Sequence, residues 1–241
     1  MKNIVLAGFH AVGARLRMDP KSISAVYLDP ERRDKRMREM REKLIAAGVR
    51  VMTADNRRLD GMAPDVPHQG IVAMAEEKQA QLEFDELLDL ITDDTLILIL
   101  DGVTDPQNLG AIIRSAECAG AHGVIIPERR AVGLTPAAVK ASAGAVEYLP
   151  VAREVNLTRT IERLKKEGVW IYGTAMDGED YRKVDYSGAK ALVIGSEGEG
   201  MSRLVGESCD KVVTLPMKGK IESLNASVAA GILLYAMMDA K

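Results

Sequence analysis

The sequence predicts an α/β protein in two units, a small αβ unit over residues 1–76 and a larger parallel-sheet unit over 94–241, joined by a connector at 77–93. Three observations predict this. The 241 residues exceed the roughly 100–150 of a common domain. The run LILILDG from Leu96 is continuously apolar, as a central parallel strand covered on both faces requires. After it, strand and helix patterns alternate to the end of the chain, which is the signature of a parallel α/β sheet.

In the first unit the apolar stretch Ile4–Leu6 and the segment Ala25–Leu28 read as strands, followed by a charged helix from about Arg32 to Ala47. A strand at Val49–Thr53, a turn-rich stretch through Gly61 and Pro64, and a strand at Ile71–Ala75 complete it. The connector is acidic and reads as helical around Leu87–Ile91. In the second unit, strands are expected at Gly123–Ile126, Val169–Thr174, Ala191–Gly195 and Lys211–Leu215, with helices near Asn108–Cys118, Leu157–Lys166 and Ser227–Asp239.

Hydrophobic residues make up 47% of the chain and charged residues 28%, a balance that supports a packed core and argues against disorder. No apolar run reaches the length of about 18 residues that a membrane span needs, and the stretch after Met1 is too short for a secretory signal. A cytoplasmic protein without a membrane partner is expected. Cys118 and Cys209 are too few for a disulfide framework and lack metal-ligand spacing, so both are read as buried thiols and no metal is expected. The net charge of −3 hides an asymmetry. Residues 1–76 hold 14 basic and 10 acidic residues, whereas the rest hold 18 and 25; a polyanion would therefore be gripped mainly by the front.

Ligands of parallel sheets sit at the carboxyl ends of the strands, which directs attention to DGVTDPQN, GTAMDG, GSEGEG and LPMKGKIESLN. Gly195, Gly198 and Gly200 have the wrong spacing for the dinucleotide fingerprint, and no phosphate-binding G-x-x-x-x-G-K-[ST] loop occurs. Singly these loops carry little weight. A glycine-rich turn can be purely structural, and Asn108 and Asn225 can each be a helix cap.

Together, the blocks LDGVTDPQNLGAIIRSAECAG, LVIGSEGEGMSRL and LPMKGKIESLNASVAAGILLYA resemble, in order and spacing, the three motifs of the SpoU (TrmH) ribose methyltransferases of the SPOUT superfamily. GFHAV at Gly8–Val12 and HQGIVA at His68–Ala73 are similar to the branch that methylates a guanosine ribose in 23S ribosomal RNA. Two departures stand out: Ala226 occupies a position where many relatives have a branched aliphatic, and Lys218 and Lys220 add charge beside the third motif.

The resemblance implies an N-terminal domain like ribosomal protein L30e that binds RNA, and a C-terminal SPOUT domain with a deep trefoil knot. It implies S-adenosylmethionine as methyl donor, held by Gly195, Leu215 and Leu224 with Thr174 of the GTAMDG loop, and a reaction without metal. It further implies 23S rRNA, or a large-subunit precursor, as partner, with the peptidyl-transferase loop as target during ribosome biogenesis. A homodimer formed through the C-terminal domain would complete the donor and RNA sites between chains. Arg114 matches the family's essential arginine; because a guanidinium stays protonated, it is read as gripping the target phosphate and polarising the 2′-hydroxyl. Asn108, Glu197, Ser223 and Asn225 match the remaining polar catalytic positions. Glu197 is either part of that machinery or a structural acid accepting amides in a turn.

RNA recognition is argued separately, since fold does not fix substrate. The run ERRDKRMREMREK at 31–43 has seven basic and four acidic residues, and Arg32, Arg33 and Arg36 are its expected RNA contacts; His10, outside the run, is read as a further RNA contact or as a turn or cap residue. The opposing reading is a solvated helix laced with ion pairs such as Glu39 with Lys43. His68 is read as an RNA contact or a turn residue, and His122 as structural. The rival functions are a tRNA or other-site rRNA methyltransferase of the same family, and an RNA-binding assembly factor that no longer catalyses. A small-molecule methyltransferase leaves the basic front unexplained.

Overall fold

The computed structural model describes residues 3–64, 66–76 and 83–238. Residues 77–82 of the connector, and the expected end of the last helix at Asp239, lie outside the described residues. The chain folds around two sheets. The first contains β1 (Asn3–Ala7), β2 (Ile23–Leu28), β3 (Val51–Thr53) and β4 (Ile71–Glu76) in the order β1-β4-β2-β3. Its β4 runs antiparallel to both neighbours, while β2 and β3 are parallel. Three helices accompany it: α1 (Phe9–Met18), α2 (Lys35–Ala46) and α3 (Asn56–Met62). The charged helix starts at Lys35 rather than Arg32 because the Asp34 carboxylate caps it, accepting from the Met37 N–H at 3.1 Å. Its ion pair is Lys35 with Glu39, not Glu39 with Lys43.

Helix α4 (Phe84–Leu88) lies earlier than the Leu87–Ile91 read from the connector, since Glu83 and Glu86 form a capping box that fixes its start. The second sheet contains β5 (Leu96–Asp101), β6 (Gly123–Pro127), β7 (Val151–Glu154), β8 (Trp170–Asp180), β9 (Lys190–Gly195) and β10 (Lys211–Thr214). It is parallel throughout, in the order β10-β8-β9-β5-β6-β7. Around it lie α5 (Pro106–Cys118), α6 (Pro136–Ala141), α7 (Leu157–Lys166), α8 (Arg203–Ser208) and α9 (Ala226–Met238). Central β5 sends Leu96, Leu98 and Leu100 to one core and Ile97 and Ile99 to the other, as its unbroken apolar run requires.

This topology positions the site. The chain turns from one side of β5 to the other between β5 and β9, and such a switch point opens a crevice at the carboxyl ends of the strands. Register Asp101↔Gly195 sets the loops after these two strands side by side. Helix α5 leaves the first loop beneath a double cap from Asp105, with Pro106 in its first turn. It then crosses α6 so closely that a Cβ on Gly110 would lie 2.4 Å from the Ala138 carbonyl oxygen.

The two sheets are tied by a buried ion pair. Arg15 of α1 donates to both carboxylate oxygens of Glu147, at 2.5 and 3.0 Å, and to the Glu76 carbonyl at 2.8 Å and Ser22 Oγ at 3.2 Å. Among the described residues, no helix is long and apolar enough to cross a membrane, and no group of three His, Cys, Asp or Glu could hold a metal ion. One cysteine departs from expectation. Cys118 is exposed at the last turn of α5, while Cys209 is half-buried and burial pushes its thiol up to about 11.

Candidate functional site

Asn108, in the first turn of α5, and Glu197 and Asn225, from two separate loops, meet at one hydrogen-bonded node. Asn108 Nδ2 donates to Glu197 Oε1 at 2.9 Å, and Asn225 Nδ2 donates to the same oxygen at 2.7 Å and to Asn108 Oδ1 at 2.9 Å. The Ala226 N–H at the start of α9 adds a third donor to Glu197 Oε1 at 3.3 Å. A carboxylate oxygen accepting three donors is strongly held, so Glu197 ties the start of α5 and the loops after β9 and β10 to one another. Asn225 also caps α9, its Oδ1 accepting from the Ser227 N–H at 2.9 Å. Asn108 is not a cap; that role falls to Asp105.

The loop between β9 and α8 folds back on itself. Ser196 and Gly200 exchange backbone hydrogen bonds at 2.9 and 3.0 Å, and the Ser202 N–H donates to Asp101 Oδ2 at 2.6 Å. Gly195 lies directly beneath this fold-back: a Cβ there would meet Gly200 C at 2.1 Å and Met201 N at 2.2 Å. Only glycine at 195 lets the loop pack this closely on the end of β9. Gly195→Ala must therefore push the loop away, and we expect it to weaken ligand binding in the neighbouring cavity at least ~10-fold by calorimetry, since a displacement of about 1 Å suffices for losses of that order.

That cavity, of about 1190 Å³, opens between the ends of β8, β9 and β10. Thr174, Gly195, Leu215, Ser223 and Leu224 all line it. Thr174 is held in place by a 3.0 Å hydrogen bond from its hydroxyl to the Val193 carbonyl. Half-buried Leu215 and exposed Met217 and Leu224 present apolar walls, while Ser223 is exposed and its hydroxyl makes no hydrogen bond with the described residues. A smaller cavity of about 640 Å³ lies against the same 196–202 loop and reaches the ends of β5, β6 and β7.

Arg114 does not join the node. It sits on α5 six residues beyond Asn108, about 240° further round and ~9 Å further along the helix, and it lines neither cavity. It is exposed and makes no hydrogen bond or ion pair with the described residues. Its neighbour Ser115 packs against Gly231 of α9. That helix exposes a stripe of Val228, Ile232, Tyr235 and Met238, spaced to share one face.

The first sheet carries a second cluster, in which GFHAV, the start of the basic run and HQG converge. The Arg32 and Arg36 guanidiniums lie 4.9 and 4.5 Å from the Phe9 ring centroid, within cation–π range. Arg36 Nη2 is 3.2 Å from His10 Nε2, and Arg32 donates to the Gln69 carbonyl. Asp34, hydrogen-bonded by Arg32, has its carboxyl held below the usual range. Arg33 is exposed and stands apart from the cluster.

Buried His68 organises the turn before β4: its Nδ1 accepts the Gly70 N–H at 3.0 Å and its Nε2 faces Asp60 Oδ1 at 3.0 Å. His122 accepts the Leu96 N–H at 3.2 Å, a structural contact. Sequence reasoning missed Asp101 and Phe9. An acid ending a central strand, and an aromatic beside His10, were their available signals.

Comparison with known proteins completes the picture. The model of the SpoU rRNA Methylase family matches residues 95–235, and a model described as RNA 2′-O ribose methyltransferase substrate binding matches residues 5–81. A protein of Ralstonia nicotianae named 23S rRNA (guanosine-2′-O-)-methyltransferase RlmB is 50% identical, covering 97% of this chain and 94% of its own length. The protein of that name from Bordetella pertussis is also 50% identical, over 96% and 95%. Among solved structures, the SpoU methyltransferase AviRb from Streptomyces viridochromogenes, in complex with AdoMet, superposes with a TM-score of 0.81 at 26% identity, over 98% of this chain and 89% of its own. A family match over more than half the chain, backed by 50% identity along nearly all of it, makes this protein a member of the SpoU rRNA methylase family.

Proposed function

We propose that this chain is an S-adenosylmethionine-dependent methyltransferase acting on a guanosine ribose 2′-hydroxyl of 23S rRNA, in the cytoplasm. The observation that carries the reading is 50% identity, along almost the whole chain, to relatives named for that reaction. The 1190 Å³ cavity suits the donor: it pairs apolar walls at Leu215, Met217 and Leu224 with polar groups at Thr174 and Ser223. When bound, S-adenosylmethionine supplies an electrophilic methyl group.

The chain's own part is alignment, because in-line attack by a ribose oxygen rewards two partners held in register. The Asn108–Glu197–Asn225 node fixes the loops that border the donor cavity. Arg114 binds the target phosphate and polarises the hydroxyl, its guanidinium keeping its proton. Since Arg114 lies outside its own chain's cavities, the reading includes a homodimer packed on the exposed α9 stripe, in which Arg114 of one protomer serves the cavity of the other.

The domain reading also belongs here: residues 1–76 form an L30e-like RNA-binding domain, 77–93 a linker, and 94–241 a SPOUT domain with a trefoil knot. Arg32, Arg36 and His10, together with exposed Arg33 outside their cluster, meet RNA through the front domain. The test is labelled methyl transfer into unmodified 23S rRNA and, in parallel, into bulk tRNA. Label confined to 23S rRNA is expected; label confined to tRNA would keep the chemistry and overturn the substrate.

A further inference from the structure

The second cavity lies on the other side of the 196–202 loop from the donor cavity, and beyond the residues that the two share its lining has no role in that reading. It is bordered by the turn after β5, by Arg129 and Arg130 after β6, and by the Asn156–Thr158 turn before α7. The loop carrying the two arginines is anchored on both sides of them. Arg153 Nη2 and the Val132 N–H make the anchoring hydrogen bonds, to the Glu128 carbonyl at 3.3 Å and the Val103 carbonyl at 3.0 Å. Arg129 and Arg130 are thereby held out as an exposed pair that makes no hydrogen bond or ion pair with the described residues. Arg130 sits in the left-handed region, at φ 60°, a conformation that costs a non-glycine residue of order 1 kcal/mol.

The acids around the cavity are mostly engaged. Asp101 accepts the Ser202 N–H, Asp105 caps α5, and Glu197 Oε1 takes three donors. Only Glu199, exposed on the 196–202 loop, is a carboxylate of this wall without such a partner among the described residues. Two uncommitted guanidiniums at the edge of a cavity with both polar and apolar walls are suited to a nucleotide, whose phosphodiester a planar fork binds bidentately.

We propose that this cavity is an RNA subsite that takes a nucleotide adjoining the one methylated, with its phosphate held by Arg129 and Arg130. It shares the 196–202 loop with the donor cavity and is lined by Asn108 and Glu197 of the node, so an RNA strand seated there enters the site from the β5–β7 side. The arginines act as positioning residues, which separates them from the donor cavity. The proposal rests on the reading of the chain as an rRNA methyltransferase.

The experiment measures binding of a 23S rRNA fragment by anisotropy across a salt series, for the wild type, R129Q/R130Q, the charge reversal R129E/R130E, and Lys166→Ala at the far end of α7. The pocket variants are expected to lose about tenfold or more in affinity and to lower the salt slope by about 0.7 for each phosphate contact removed. KM for RNA should rise while affinity for S-adenosylmethionine stays unchanged; Lys166→Ala should match the wild type. Unaltered affinity and slope in both pocket variants, with the wild type still methylating the fragment, would overturn the subsite alone. A wild type that neither binds nor methylates the fragment would overturn the functional reading and the subsite with it.

Discussion

Arg114→Ala should lower methyl transfer by at least ~10²-fold, about 3 kcal/mol of transition-state stabilisation, the scale set by removing one charged contact to the reacting group. Donor binding should persist, because Arg114 lines neither cavity and its exposed position on α5 supports no loop. Equal loss of donor affinity and turnover would contradict the role.

The geometry makes a sharper demand. If Arg114 serves the partner's cavity, then mixing Arg114→Ala with Asn225→Ala, each inactive alone, restores one intact site per mixed dimer. Random subunit exchange should recover about a quarter of the wild-type rate. An arginine acting within its own chain would recover nothing, and a steady-state assay of the mixture separates the two.

Glu147→Ala should be the most destabilising single change outside the site. It strands the Arg15 guanidinium, which is only 2% exposed, without its bidentate partner, and breaking a buried pair in this way costs about 3–5 kcal/mol. At roughly 2–4 °C per kcal/mol for a chain of this size, the thermal midpoint should fall by about 6–20 °C. The double variant R15M/E147L removes both charges and should recover most of the loss, since a buried pair replaced by apolar groups of similar volume is often near neutral. A double variant no more stable than E147A would show that the site needs more than charge balance. The pair also joins α1 of the first sheet to the turn after α6, so its loss should loosen the seating of one sheet's elements against the other's.

Much of the second sheet was legible because its strands are buried on both faces and flanked by clear caps. Helix α7 has the expected bounds, with Asn156 capping its start. What escaped was short or weakly patterned. Strand β7 is a four-residue edge strand, VARE, with little alternation to read. Helices α6 and α8 span six residues each, and Thr135-Pro136 was the one overt start signal between them. Helix α1 hid behind Gly13 and a lack of acidic start signals, and α3 behind the glycine and proline that read as turn.

The site was legible as a set of loops but not as a node. Asn108 and Asn225 are 117 positions apart, and no local pattern says that Glu197 joins them. The same applies to Arg32 and Arg36, whose shared target, Phe9, is set by the fold alone. Arg114 is the converse case: its motif is plain in the sequence, while its distance from its own chain's node emerged only from the helix geometry.

In the proposed reaction a methyl group reaches the ribose of a guanosine in 23S rRNA. The most direct measurement digests rRNA treated with the protein and labelled S-adenosylmethionine to nucleosides and fragments them by mass spectrometry. Label is expected on guanosine alone, retained by the ribose fragment and absent from the base. Label on the base, or a protein that binds the donor yet leaves the RNA unlabelled, would contradict it.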